Sequence, residues 1–145
     1  MENNSLAVFE GKSIRRVWRN EEWWFSVVDV IRVLSDSDNP RNYWKVLKYR
    51  LTEEGSEVVT NCNQLKLLAS DGKSYLTDCA NTKNMFRIIQ SIPSKKAEPF
   101  KQSLAQVGYE RIQEIENPEL AQDRAKGYYE LKGYPKDWID KRLRG

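Results

Sequence analysis

The chain of 145 residues has no histidine and only two cysteines, Cys62 and Cys79, with no CxxC pair. The missing histidine excludes a Ser-His-Asp triad, a histidine general base and any zinc site that uses imidazole. Without a histidine to activate it, Cys79 is expected to be a buried structural thiol and not a nucleophile. Long apolar runs are missing too. The N-terminus MENNSLAVFEGK has no apolar signal core, and nothing approaches the roughly 18 apolar residues of a membrane span. A cytoplasmic protein with reduced thiols is the expectation.

Glycine-rich phosphate loops are absent as well: neither G-x-G-x-x-G nor G-x-x-x-x-G-K-[ST] occurs, so no cofactor is expected. The run SDSDN at 35–39 resembles part of a calcium loop. It lacks the glycine at the sixth position and the glutamate at the twelfth, and reads better as a capping turn. Glu21-Glu22 and Glu53-Glu54 are sequence neighbours whose side chains diverge in a strand or a helix. The aspartates are expected in caps and turns, so neither a nuclease-like carboxylate cluster nor any other enzymatic site is expected.

What is present is a charged, aromatic, folded chain: 31% charged and 11% aromatic, with five tryptophans. The net charge of +3, from 24 basic and 21 acidic residues, is too small to mark a nucleic-acid binder globally. The basic excess is local. The stretch NPRNYWKVLKYRL, 39–51, holds Arg41, Lys45, Lys48 and Arg50 and no acid. Asn39-Pro40 predicts a helix start, because Asn can accept a first-turn amide and proline lacks an N–H that would go unused there. At about 100° per residue, Tyr43, Trp44, Leu47 and Leu51 form the core arc, and Arg41, Asn42, Lys45, Lys48 and Tyr49 the exposed one. A solvated face is the ordinary explanation of such an arc. Asn42 adds a group that can pair with adenine in the major groove.

Upstream, LAVFE, SIRRVWR and EWWFSV predict a β-meander whose Trp18, Trp23, Trp24 and Phe25 cover a small core. A helix is expected next, over VVDVIRVL. Asp71-Gly72, between QLKLLAS and KSYLT, predicts a hairpin with a type I′ turn. Helices are expected over NTKNMFRIIQSI, over KKAEPFKQSLAQVGYERIQEI with Pro99 blurring its start, over ELAQDRAKGYYELK behind an Asn117-Pro118 cap, and over KDWIDKRLR. Strands and helices are segregated, which makes the fold class α+β.

The segment LKLLASDGKSYLTDCANTKNMFRIIQSIPSKKAEPFKQSLAQVGYERIQE resembles the Bro-N domain of phage and baculovirus BRO proteins, in the branch of prophage antirepressor-like proteins. FSVVDVIRVLSDSDNPRNYWKVLKYRL is similar to the first half of that family, and the likeness covers roughly 6–112. The tail ENPELAQDRAKGYYELKGYPKDWIDKRLRG is similar to the segment C-terminal to Bro-N in DNA-damage-inducible protein D-like proteins. The expected organisation is therefore a DNA-binding domain over 1–112 and a helical extension or linker over 113–145.

The resemblance implies a non-catalytic regulator that binds double-stranded DNA. On matching positions it makes Arg41, Asn42, Lys45 and Lys48 of the helix, with Lys95, Lys96 and Lys101 of the basic-proline loop, candidate contacts. Arg15 and Arg16 join them as backbone contacts from the first strands. The alternative is a protein-interaction module that binds a phage repressor directly, anchored by aromatics among Trp18, Trp23, Trp24, Tyr128, Tyr129 and Trp138.

Overall fold

The computed structural model describes residues 14–144; the LAVFE segment lies outside them. Asn20-Glu21 fixes the first hairpin. Both residues have positive φ, 54° and 64°, and Arg19 pairs with Glu22 across a two-residue turn. That is the type I′ geometry, made here without glycine. It joins β1 (Arg16–Arg19) to β2 (Glu22–Ser26). Ser26 then ends the strand and starts α1 (Val27–Leu34), its hydroxyl accepting the amide of Asp29.

The second helix starts as its sequence predicts. Asn39 caps α2 (Pro40–Glu53), accepting from the Asn42 amide at 3.1 Å, with Pro40 in the first turn. Strands β3 (Asn63–Leu68) and β4 (Ser74–Asn81) form the other hairpin. Its turn differs from the expected type I′. Only Gly72 has positive φ, and the Gly72 amide bonds to the Ala69 carbonyl while the Ala69 amide bonds to that of Lys73. This is a three-residue loop, a type I turn followed by a left-handed glycine. Ser70 and Asp71 therefore keep negative φ, and the positive-φ demand falls on one residue.

All four strands join in one antiparallel sheet of order β1-β2-β4-β3, followed by α3 (Thr82–Gln90), a 3-10 turn at Lys95–Ala97, α4 (Glu98–Glu116), α5 (Glu119–Leu131) and α6 (Lys136–Arg144). The fold is α+β. Pro99 is accommodated in the first turn of α4, where its missing N–H costs no helical bond. Asn117 was expected to cap α5, but no side-chain cap bond forms; its own amide closes α4 on Gln113.

The chain divides into two compact units between Lys101 and Gln102, within α4, and α4 runs unbroken through residues 112 and 113. In the first unit Val27, Val30, Ile31, Leu47, Leu51, Met85, Ile88 and Ile89 are buried between the sheet and α1, α2 and α3. Each such side chain contributes about 1.5–3 kcal/mol on burial. Strand register splits the sheet into two faces. Trp24, Leu65, Leu67 and Cys79 cluster on one with Val17; Phe25, Asp78 and Ala80 lie on the other. Trp18 and Trp23 do not join that cluster. They pack edge to face at 5.2 Å, and Trp18 is 57% exposed.

In the second unit, Arg124 grips Glu114 with two bonds of 2.7 and 2.9 Å. Tyr134 stacks on Trp138 at 4.4 Å, Tyr129 meets both edge-on, and Ile139 is buried.

Candidate nucleic-acid interface

Three buried residues orient α2. Trp44, Leu47 and Leu51 point into the core and Tyr43 is half-buried, which leaves Arg41, Asn42, Lys45 and Tyr49 exposed. Arg41 and Lys45, one turn apart, have no ion-pair partner among the described residues. They are cations held on a rigid element and available to an anion.

Lys48 is arranged differently. Its Nζ lies 3.0 Å from Asp78 Oδ2, the same oxygen that accepts the Trp44 indole N–H at 2.7 Å, while Gln64 donates to Oδ1 at 3.2 Å. Burial pushes the Asp78 carboxyl up, but these donors and the Lys48 charge outweigh it and hold it below its ordinary range. Lys48 is thus half-buried and fixes α2 against β4. The expectation that the aspartates serve only caps and turns fails here, because Asp78 sits within a strand and clamps a helix.

Arg15 is likewise drawn inward. Its Nε and Nη2 donate to Asp29 at 2.8 and 3.0 Å, its backbone amide donates to the same carboxylate at 2.9 Å, and its Nη1 donates to the Leu68 carbonyl at 3.1 Å. Asp29 is 1% exposed and also faces Arg32 at 3.4 Å. Desolvation raises its carboxyl pKa, and the hydrogen bonds and charges of Arg15 and Arg32 more than reverse that, leaving it lowered. Arg16 stacks its guanidinium over the Trp23 ring at 3.8 Å.

The basic-proline loop lies beside the turn that precedes α2. Lys96 pairs with Asp36 at 3.3 Å, both side chains solvated, so the pair is weak. Lys95 is exposed and Lys101 half-buried. Of the sequence-derived candidates, then, Arg41, Asn42, Lys45 and Lys95 present open side chains, whereas Arg15, Arg16, Lys48 and Lys96 are engaged within the protein. Trp24 is buried, which removes it from the aromatics offered as partner anchors; Trp18, Tyr128 and Trp138 are exposed.

Both thiols are unsuited to nucleophilic work. Burial pushes Cys62 up to about 12 and Cys79 up to about 11, and both are free. Among the described residues no group of three or more Cys, Asp or Glu could hold a metal, and no helix is long and apolar enough to cross a membrane.

The model of the BRO family N-terminal domain, Bro-N, matches residues 13–110, well over half of the chain. The chain belongs to the BRO family. Bro-N domains are in general DNA-binding modules of phage antirepressor-like proteins, a regulatory family not known as catalytic. The match includes the whole sheet, α1 to α3 and most of α4. Comparison with curated proteins and with solved structures gives no match. Within this Bro-N domain, sequence reasoning missed Asp29, Arg32 and Asp78. Asp78 left one signal, an acid in a strand-forming run, where aspartate is disfavoured unless something holds it.

Proposed function

We propose that this Bro-N domain is a non-catalytic regulator that binds duplex DNA through the exposed arc of α2. Arg41 and Lys45 contact phosphates and Asn42 reaches a base edge. Lys95 and Lys101 extend the positive surface, and Lys48, Lys96, Arg15 and Arg16 act chiefly by holding the elements that carry it. The carrying observation is that the acid-free arc holds two cations without an ion-pair partner among the described residues, on a helix whose other side is locked by Trp44, Leu47 and the Asp78 clamp. Charge held on a preorganised element neutralises phosphate without first losing an internal ion pair.

Reversing those two charges tests this. Arg41→Glu with Lys45→Glu is expected to weaken duplex binding strongly without lowering the melting temperature, and Lys132→Glu in the second unit to leave binding intact. Full binding by the double variant would move the interface elsewhere.

The exposed aromatics support a second reading, direct contact with a phage repressor through residues such as Trp18. Salt separates the two, since an apolar protein interface responds weakly where phosphate binding responds steeply.

A further inference from the structure

Among the described residues of the second unit, 102–145, Ile139 alone is buried. That is very little core. The unit is close to the length, about 40 residues, below which a chain usually needs a disulfide, a metal or oligomerisation to stay folded. It contains no cysteine, and among the described residues no group of three or more acidic or thiol side chains could hold a metal. Oligomerisation is the device that remains.

The C-terminal part of α4 carries the surface for it. From Gln102 to Glu116 no residue is buried, yet at about 100° per residue Leu104, Ala105, Gly108, Ile112 and Ile115 fall within one arc of about 100°. Ile112 is 59% and Ile115 79% exposed, and the exposed Val107 and Tyr109 border the arc. Between Leu104 and Ile115 the arc holds no charged side chain. Glu114, gripped by Arg124, falls outside it, so the bond that ties α5 to α4 leaves this face open.

The order of large and small residues fits one occupant. Ala105 and Gly108 lie in the first half of the arc, Ile112 and Ile115 in the second. A second α4 laid antiparallel, with the two-fold axis near Glu110, sets each Ile112 over the partner's Gly108 and each Ile115 over the partner's Ala105. A parallel copy would set large on large. Gly108 has room for the isoleucine: a Cβ there would meet nothing within 4 Å. No neighbour within the chain calls for this glycine, which costs a helix interior about 1 kcal/mol against alanine. Contact over these residues removes on the order of 1,000 Å² from water on the two copies, the low end for a specific interface and suited to a reversible dimer.

We propose that this face of α4 is a homodimer interface, on which a second copy of the chain packs antiparallel with its Ile112 in the space at Gly108. The dimer is isologous, so each contact occurs twice. It stands whether or not α2 binds DNA.

Sedimentation equilibrium of the full chain from about 1 to 200 μM brackets the micromolar affinity that so small an area supports. The mass is expected to rise with concentration from one chain of 17.0 kDa toward two. Ile112→Glu with Ile115→Glu removes only exposed side chains and should raise the dissociation constant about a hundredfold or more, with the helical circular dichroism of the dilute protein unchanged. Gly108→Leu should weaken the dimer as well, although it adds apolar surface and favours the helix; tighter association in that variant would mean general stickiness and overturn the fitted contact. An equal mixture of Ala105→Cys and Ile115→Cys proteins, oxidised with copper phenanthroline, should give the mixed disulfide dimer, and neither protein alone should cross-link through the new thiol. Cross-linking by either alone overturns the antiparallel order. A single-chain mass at every concentration, or a dimer indifferent to the two glutamates, overturns the interface.

Discussion

The Trp44 indole N–H and the Asp78 carboxylate meet at 2.7 Å, and this bond joins α2, the helix that carries Arg41 and Lys45, to the inner strand β4. Trp44 serves two ends at once. Its ring fills core, and its N–H makes the shortest of the three side-chain bonds that the partly buried Asp78 carboxylate accepts. Trp44→Phe keeps most of the ring volume and removes the donor, so it is expected to cost about 1–2 kcal/mol in chemical denaturation. A stability equal to wild type would show that Lys48 and Gln64 alone satisfy Asp78.

Lys45 and Lys48 are one turn apart in sequence and opposite in role. Lys48→Glu sets a second carboxylate against Asp78 and is expected to lower the melting temperature, whereas Lys45→Glu, facing solvent, is expected to leave it unchanged within error. Equal melting temperatures for the two variants would contradict the clamp.

The folded-state carboxyls of Asp29 and Asp78 are both held below their ordinary values. The unfolded chain therefore binds more protons at acid pH, and the stabilisation is fully present above about pH 5 and lost as pH falls through 4 and below. Thermal melts across that range should show a falling melting temperature for the wild type and a shallower fall for Asp78→Asn. Parallel profiles would remove Asp78 from the acid response. At neutral pH, Arg15→Ala removes both guanidinium bonds to the buried Asp29, leaving the backbone amide of residue 15 and Arg32 at 3.4 Å, and is expected to cost about 3 kcal/mol in a denaturant titration.

Glu21 occupies a left-handed backbone position, φ 64°, that disfavours any side chain with a Cβ. Glu21→Gly completes an Asn-Gly type I′ turn and is expected to stabilise the protein by about 1 kcal/mol, read as a raised denaturant midpoint. A lowered midpoint would mean that the Glu21 side chain makes a compensating contact.

The strand and helix order, the Asn39-Pro40 start and the buried arc of α2 were legible because each is written locally, in caps and in 2.0 or 3.6 periodicity. The turn types were not legible in the same way. Asp71-Gly72 carries the familiar type I′ pair yet needs only one positive φ, while Asn20-Glu21 takes the type I′ shape because the register of Trp18 on Trp23 and Val17 on Trp24 leaves two residues to turn in. The clamps stayed hidden for a different reason. Arg15 is 14 residues from Asp29, and Lys48 is 30 from Asp78, so only the folded chain shows which cations are spoken for. Composition marks a basic helix; it takes tertiary partners to divide its lysines into open and engaged.

The salt dependence of duplex binding bears most directly on the central claim. Fluorescence anisotropy with a random duplex, titrated at several salt concentrations, should show affinity falling steeply as salt rises. Arg41→Glu with Lys45→Glu, binding measured wherever it remains detectable, should flatten the log–log slope by about two, roughly one released counterion per lost phosphate contact. Binding that is insensitive to salt, or a slope and affinity unchanged in the double variant, would contradict the assignment of the α2 arc as the DNA surface.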